Sequence, residues 1–123
     1  MKLVPILKVT NIDKAVVFYT TVLDFKLKYP QAPLNRFCVD IIQDSVELML
    51  TETDGISGVP VYVYVDDVDA LYQKYLTRGL ITPRKENSPV HESPIDQTWG
   101  TREFYVTDAD GNTLRFSTPI KET

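Results

Sequence analysis

One histidine, one cysteine and one tryptophan are the scarcest chemical resources of this chain. His91 has a pKa suited to acid–base work. It lies between Pro89 and Pro94 in a polar stretch, and that setting predicts an exposed loop histidine. Cys38 stands in the apolar run Phe37, Val39, Ile41 and reads as a buried small hydrophobe, not a catalytic thiol. A lone cysteine also forms no intrachain disulfide. Trp99 offers a wide apolar face and cation–π attraction. It is either a stacking platform for a flat ligand or a residue that packs a loop or an interface.

Strand parity groups the other candidates. If Glu47 faces a cleft, Met49 does too. Pro60 travels with Tyr62 and Tyr64, and Val4 with Ile6 and Lys8. Glu47 is either an anionic anchor for a cationic ligand or an edge carboxylate paired with a base such as Arg115. A buried carboxylate needs such a partner. Tyr62 and Tyr64 either line the cleft or are ordinary strand aromatics. The candidate ligand-binding set is therefore Trp99, Glu47, Met49, Tyr62, Tyr64, Arg115 and Lys8.

These side chains need elements to hold them. Leu3–Val9 reads as a strand. Asn11 caps a helix whose stripe is Ala15, Phe18, Tyr19 and Val22. Phe25–Tyr29, Asn35–Gln43 and Val46–Thr51 read as strands, the last two joined at Asp44-Ser45. Thr53–Gly58 is a polar connector. Val59–Val65 is a strand rich in β-branched residues and tyrosine. Asp66 or Asp67 caps a second helix through about Thr77, stopped near Gly79. Ile81–Arg84 reads as a short strand, and Glu86–Thr98, with two prolines, as a loop or irregular edge. The chain closes on a hairpin around Asp108-Ala109-Asp110-Gly111-Asn112. Its Asp and Asn bond their own backbone, and its Gly accepts positive φ.

The order is β-α-β-β-β twice, and a faint repeat supports it. Val9–Ala15 parallels Val65–Leu71, and Ser45–Leu48 parallels Thr113–Phe116. Each half predicts a curved sheet with one helix on its outer face. The fold class is α+β, one domain over 1–123 with repeats at about 1–54 and 58–123. Neither half buries both faces of its sheet alone, so two halves, from one chain or two, would enclose a cleft.

At 123 residues, 43% hydrophobic and 24% charged, the composition is that of an ordinary globular domain. Its core is small, so a homodimer that buries more surface is expected. The formal net charge of −4 disfavours nucleic acid and mildly favours cationic ligands. No apolar run approaches the ~20 residues of a membrane helix, and no signal peptide is visible. The expectation is a cytoplasmic protein without membrane partners.

The hairpin Trp99-Gly100-Thr101-Arg102-Glu103-Phe104, then Asp108 to Gly111-Asn112 and Phe116, resembles the C-terminal motif of bleomycin-resistance proteins. These belong to the glyoxalase/bleomycin-resistance/dioxygenase (vicinal oxygen chelate) superfamily. Leu7-x-Val9-x-x-Ile12-x-x-Ala15-x-x-Phe18-Tyr19 and Val22-Leu23-Asp24-Phe25 resemble the family's first helix and flanking strands, so the likeness covers nearly the whole chain. One departure is Ala109, where the usual residue is proline; this loosens the turn slightly.

The resemblance implies four metal-ligand positions in the enzymes of the family. Here they fall on Val4, Pro60, Glu47 and Arg115, and only Glu47 is a ligand type. The implication is a metal-free protein without cofactor that sequesters an aromatic or cationic drug, bleomycin-like, in a cleft at a dimer interface. In such proteins a flat heteroaromatic ligand is expected to stack near Trp99. Arg102, Glu103 and the 108–112 turn read as fold-specific. The alternatives are an enzyme of this fold with an atypical site, a lyase, dioxygenase or metal-free isomerase, and a metabolite-binding module without a resistance role.

Overall fold

Alternation decides which way each strand faces. Leu48 and Leu50 on one strand, Val39 and Ile41 on the next, and Leu7 on a third are buried, as is Val9 just past that strand. The residues that alternate with them point the other way. The computed structural model describes residues 1–30, 37–53, 55–84 and 87–120. It divides into two units, one of Met1–Val59 with Asp108–Asn112, the other of Pro60–Thr107 with Thr113–Thr123.

In the first unit, strand β1 (Ile6–Lys8) leads to helix α1 (Ile12–Thr21), then β2 (Lys26–Leu27), β3 (Cys38–Gln43) and β4 (Val46–Thr51). The sheet order is β1-β4-β3-β2, with β1 parallel to β4 and the other pairs antiparallel. Helix α1 begins where Asn11 accepts a hydrogen bond from the Lys14 amide at 3.0 Å and satisfies an amide that the first turn leaves open. The helix packs Ile12 and Tyr19 inward, and Tyr19 meets Phe25 edge to face.

The second unit repeats the plan: β5 (Pro60–Tyr64), α2 (Val68–Thr77), a 3-10 turn at Pro89–His91, β6 (Ile95–Asp96), β7 (Thr101–Thr107) and β8 (Thr113–Pro119). Its order is β5-β8-β7-β6, with β5 parallel to β8. Asp67, not Asp66, caps α2, accepting from the Ala70 amide at 3.1 Å. The caps Asn11 and Asp67 occupy corresponding positions of the internal repeat. Tyr75 of α2 packs edge to face on Phe104 and Phe116, which stack on each other at 5.0 Å. Among the described residues no helix is long and apolar enough to cross a membrane.

The architecture matches the two predicted β-α-β-β-β repeats, and the differences are local. Pro5 confines β1 to Ile6–Lys8 on its N-terminal side, because proline brings no amide to a ladder. Strands β2 and β5 are shorter than expected. Ile81–Arg84 is not a strand; Pro83 lies within it. The edge strand instead is Ile95–Asp96, inside the segment read as a loop, where it pairs with Glu103 and Arg102. Cys38 is exposed, not buried. Val39 and Ile41 take the core face of β3, so parity turns Cys38 outward. Asn35 and Arg36, the expected start of β3, lie outside the described residues, as do residues 54 and 86.

The 108–112 turn is tied into the first unit by one carboxylate. Asp108 accepts from the Asp110 and Asn112 amides through Oδ1, and from the Tyr19 hydroxyl (2.8 Å) and Asn112 Nδ2 (3.1 Å) through Oδ2. Asn112, fully buried, donates to the Lys8 carbonyl and accepts from the Val59 amide. Gly111 sits at φ +85°, which favours glycine. Burial and the Asp108 charge push the Tyr19 hydroxyl far above its ordinary pKa, so it remains a donor. Asp108→Ala strands several of these donors at about 1–3 kcal/mol each, whereas Tyr19→Phe removes one bond worth about 1 kcal/mol. Urea unfolding should therefore show a markedly larger loss for Asp108→Ala.

Candidate functional site

The face of the second sheet turned away from α2 is set by register. Pro60, Thr113 and Thr107 form one row, Tyr62, Arg115 and Tyr105 the next, and Tyr64, Ser117, Glu103 and Ile95 a third. Tyr62 and Tyr64 are 44% and 69% exposed, with rings 6.2 Å apart and inclined by 20°. The Arg115 guanidinium lies 5.5 Å from the Tyr62 ring centre and 5.0 Å from that of Tyr105, so two π faces flank one cation.

Glu103 is fully buried on this face. Its Oε2 accepts from Trp99 Nε1 (3.2 Å), Thr101 Oγ1 (2.6 Å) and Ser117 Oγ (3.1 Å), and its Oε1 from the Tyr105 hydroxyl (2.8 Å). Burial raises its pKa, but the bonds from Thr101, Tyr105, Trp99 and Ser117 outweigh it and hold the carboxyl below the usual range. Trp99 is thereby held by its nitrogen while its ring stays 60% exposed. Burial, then the bond to Glu103, keeps the Tyr105 hydroxyl protonated well above its ordinary pKa.

His91 is not the exposed loop residue expected. It is half-buried, with Nδ1 2.8 Å from Ser88 Oγ and Nε2 2.8 Å from Thr107 Oγ1, and its ring meets Tyr105 edge to face. The 3-10 turn packs it against β7. Both ring nitrogens are engaged, which suits a packing role.

The open face of the first sheet carries Glu47, Met49 and Lys8. Met49 stands beside Ile6 and Asp40, and Lys8 beside Thr51. Glu47 is paired, but not with Arg115. Lys2 at 2.6 Å and Lys28 at 2.9 Å share its Oε1, and their hydrogen bonds hold its pKa low. Its charge is already met by two cations, which weakens it as an anchor for a cationic guest. Lys8 also lines an open groove of ≈ 510 Å³ with Thr10, Glu52, Ile56 and Asp110.

The structure therefore brings Tyr62, Tyr64 and Arg115 onto one face, with Trp99 bonded to it through Glu103. Glu47, Met49 and Lys8 belong to the other unit. Tyr105 is the residue that sequence reasoning passed over, and Glu103, read there as fold-specific, holds the Trp99 nitrogen. Their alternation with Phe104 and Val106 was the available signal, since it sets them opposite the core face. Arg102, their neighbour, turns instead to Asp69 of α2 and to Asp96 at 3.0 Å each. A family-type metal ion does not fit. Val4 and Pro60 offer no side-chain donor, Arg115 is a cation, and Glu47 is held by lysines. Among the described residues no three His, Cys, Asp or Glu side chains gather where they could hold one.

The model of the Glyoxalase/Bleomycin resistance protein/Dioxygenase superfamily matches residues 4–116, and the chain belongs to that superfamily. No curated protein matches it at a significant level. Among solved structures it is similar to a bleomycin-binding protein complexed with bleomycin (TM-score 0.75, 20% identity, 99% of each chain covered). It is also similar to the bleomycin-binding protein of bleomycin-producing Streptomyces verticillus complexed with copper(II)-bleomycin (0.72, 19%, 99% of this chain and 97% of that one). A third is the antibiotic-binding protein TnmS3 of Streptomyces sp. CB03234 (0.70, 22%, 97% of each). At these identities the likeness establishes the fold.

Glu103 contributes stability that is fully present above the unfolded carboxyl pKa of about 4.3 and is lost as pH falls through its lower folded value. The stability of Glu103→Gln should fall less steeply than that of the unsubstituted protein between about pH 5 and 3, measured by urea unfolding at each pH. Trp99 emission should shift in the same variant as its indole bond is lost.

Proposed function

We propose that the protein binds a planar aromatic small molecule on the open face of the second sheet and sequesters it without breaking a bond. The observation that carries this reading is the set of exposed rings, Tyr62, Tyr64 and Trp99, with Trp99 held at its nitrogen by a buried carboxylate. A side chain fixed in advance loses less freedom when a ligand arrives. Each ring stacked on a flat guest adds about 0.5–1.5 kcal/mol beyond the area it buries. Solved relatives of the same fold include proteins described as bleomycin-binding and antibiotic-binding, which makes an antibiotic of the bleomycin type the first ligand to try. A homodimer is part of this reading, since a second copy would cover apolar side chains such as Ile6 and Val17 that stand exposed. Sedimentation should then give twice the chain mass.

Trp99, the only tryptophan, reports on the site directly. Titration with metal-free and copper-loaded bleomycin should quench its fluorescence saturably, in the micromolar range or tighter, at one drug per chain. Trp99→Phe protein serves as the control. A flat titration of folded protein removes bleomycin as the ligand. A flat response to neutral polycyclic aromatics as well removes the aromatic site.

A further inference from the structure

Charge on the aromatic face is unevenly resolved. The three rows of β5, β8 and β7 hold two ionic side chains, Glu103 and Arg115. Glu103 has four donors and no cation. Arg115 has the reverse problem. Its Nε is buried without a hydrogen-bond partner, and among the described residues no carboxylate pairs with its guanidinium. The one carboxylate on the same face, Glu103, is spent on its four donors. Tyr105 supplies no anion either, because burial and its bond to Glu103 keep it protonated.

Two tyrosine rings stabilise the cation through their faces, but a π face accepts no strong hydrogen bond, and the donors of a guanidinium form a planar fork. That fork matches a carboxylate, and the aromatic sandwich places it level with rings on which a flat molecule stacks. Resting on the aromatic-ligand reading above, we propose that Arg115 is the anion anchor of this face, so that the natural ligand is a planar aromatic molecule bearing a carboxylate or an equivalent anionic oxygen group. This reverses the cationic preference drawn from net charge. The acidic balance belongs to the whole surface, whereas the charge left to meet a ligand on this face is positive.

The test uses three probes of one shape on the unsubstituted protein: 9-anthracenecarboxylate, 9-anthracenemethanol and 9-(aminomethyl)anthracene. Calorimetry at low and high salt should rank the carboxylate about ten-fold or more tighter than the alcohol, with the amine weakest and the advantage shrinking as salt rises. Arg115→Met should bring the carboxylate-to-alcohol ratio close to one, and Arg115→Lys should retain part of it. If Arg115→Met fails to fold by circular dichroism, the probe ranking and Arg115→Lys decide. A carboxylate no tighter than the alcohol, an amine that binds best, or a ratio unchanged in both variants overturns the Arg115 assignment alone. Binding of none of the three overturns it together with the aromatic-ligand reading.

Discussion

A carboxylate buried without a counter-ion is the constraint on which the second sheet's open face depends. An ionised group moved out of water is costly unless its lone pairs are met. Glu103 meets them with an indole nitrogen and three hydroxyls, drawn from the loop before β7, from β7 itself and from β8. Each donor is committed to one place as a result. Ser117 turns toward β7, Tyr105 keeps its proton, and Trp99 is held at one edge with its ring free. Neutral donors, not a base, balance the charge, and this leaves the face without an internal ion pair.

Glu47 shows the other solution to the same problem. Its position in the first repeat corresponds to that of Arg115 in the second, yet its charge is met by Lys2 and Lys28. The two halves share a fold and differ in what their open faces present. One carries a carboxylate closed by lysines, the other a guanidinium between aromatic rings. At the four positions where the resemblance implies metal ligands, Val4 and Pro60 lack donors, Arg115 is a cation and Glu47 is held by lysines.

Much of this was legible in the sequence because it rests on local periodicity. Asn11 and Asp67 precede apolar stripes at helical spacing, and both cap helices. Leu48 and Leu50 alternate with Glu47 and Met49, and the faces follow. What escaped was set by tertiary partners. His91 sits among prolines, and only packing against Tyr105 and Thr107 draws it inward. Cys38 has apolar neighbours, yet one step of parity decides its exposure. The partners of Glu47 come from a strand end and from the chain's second residue, neither adjacent in sequence. Ile95–Asp96 is too short to announce itself, since a two-residue edge strand is defined by the strand it pairs with.

Register carries the hairpin's pairing to the open face of the second sheet. Thr107 pairs with Thr113 at the mouth of the hairpin, and counting outward sets Tyr105 against Arg115 and Glu103 against Ser117. Asp108 fixes that first pair by accepting both the Asp110 and Asn112 amides through one oxygen. A slip of one residue would turn Arg115 toward the core and leave Glu103 without Ser117. The core resists the slip as well, because Phe104 and Phe116 must stay stacked under Tyr75. The hairpin is thus also the device that sets which charges the open face of the second sheet presents. The carboxylate of Asp108 closes the turn with Ala109 inside it.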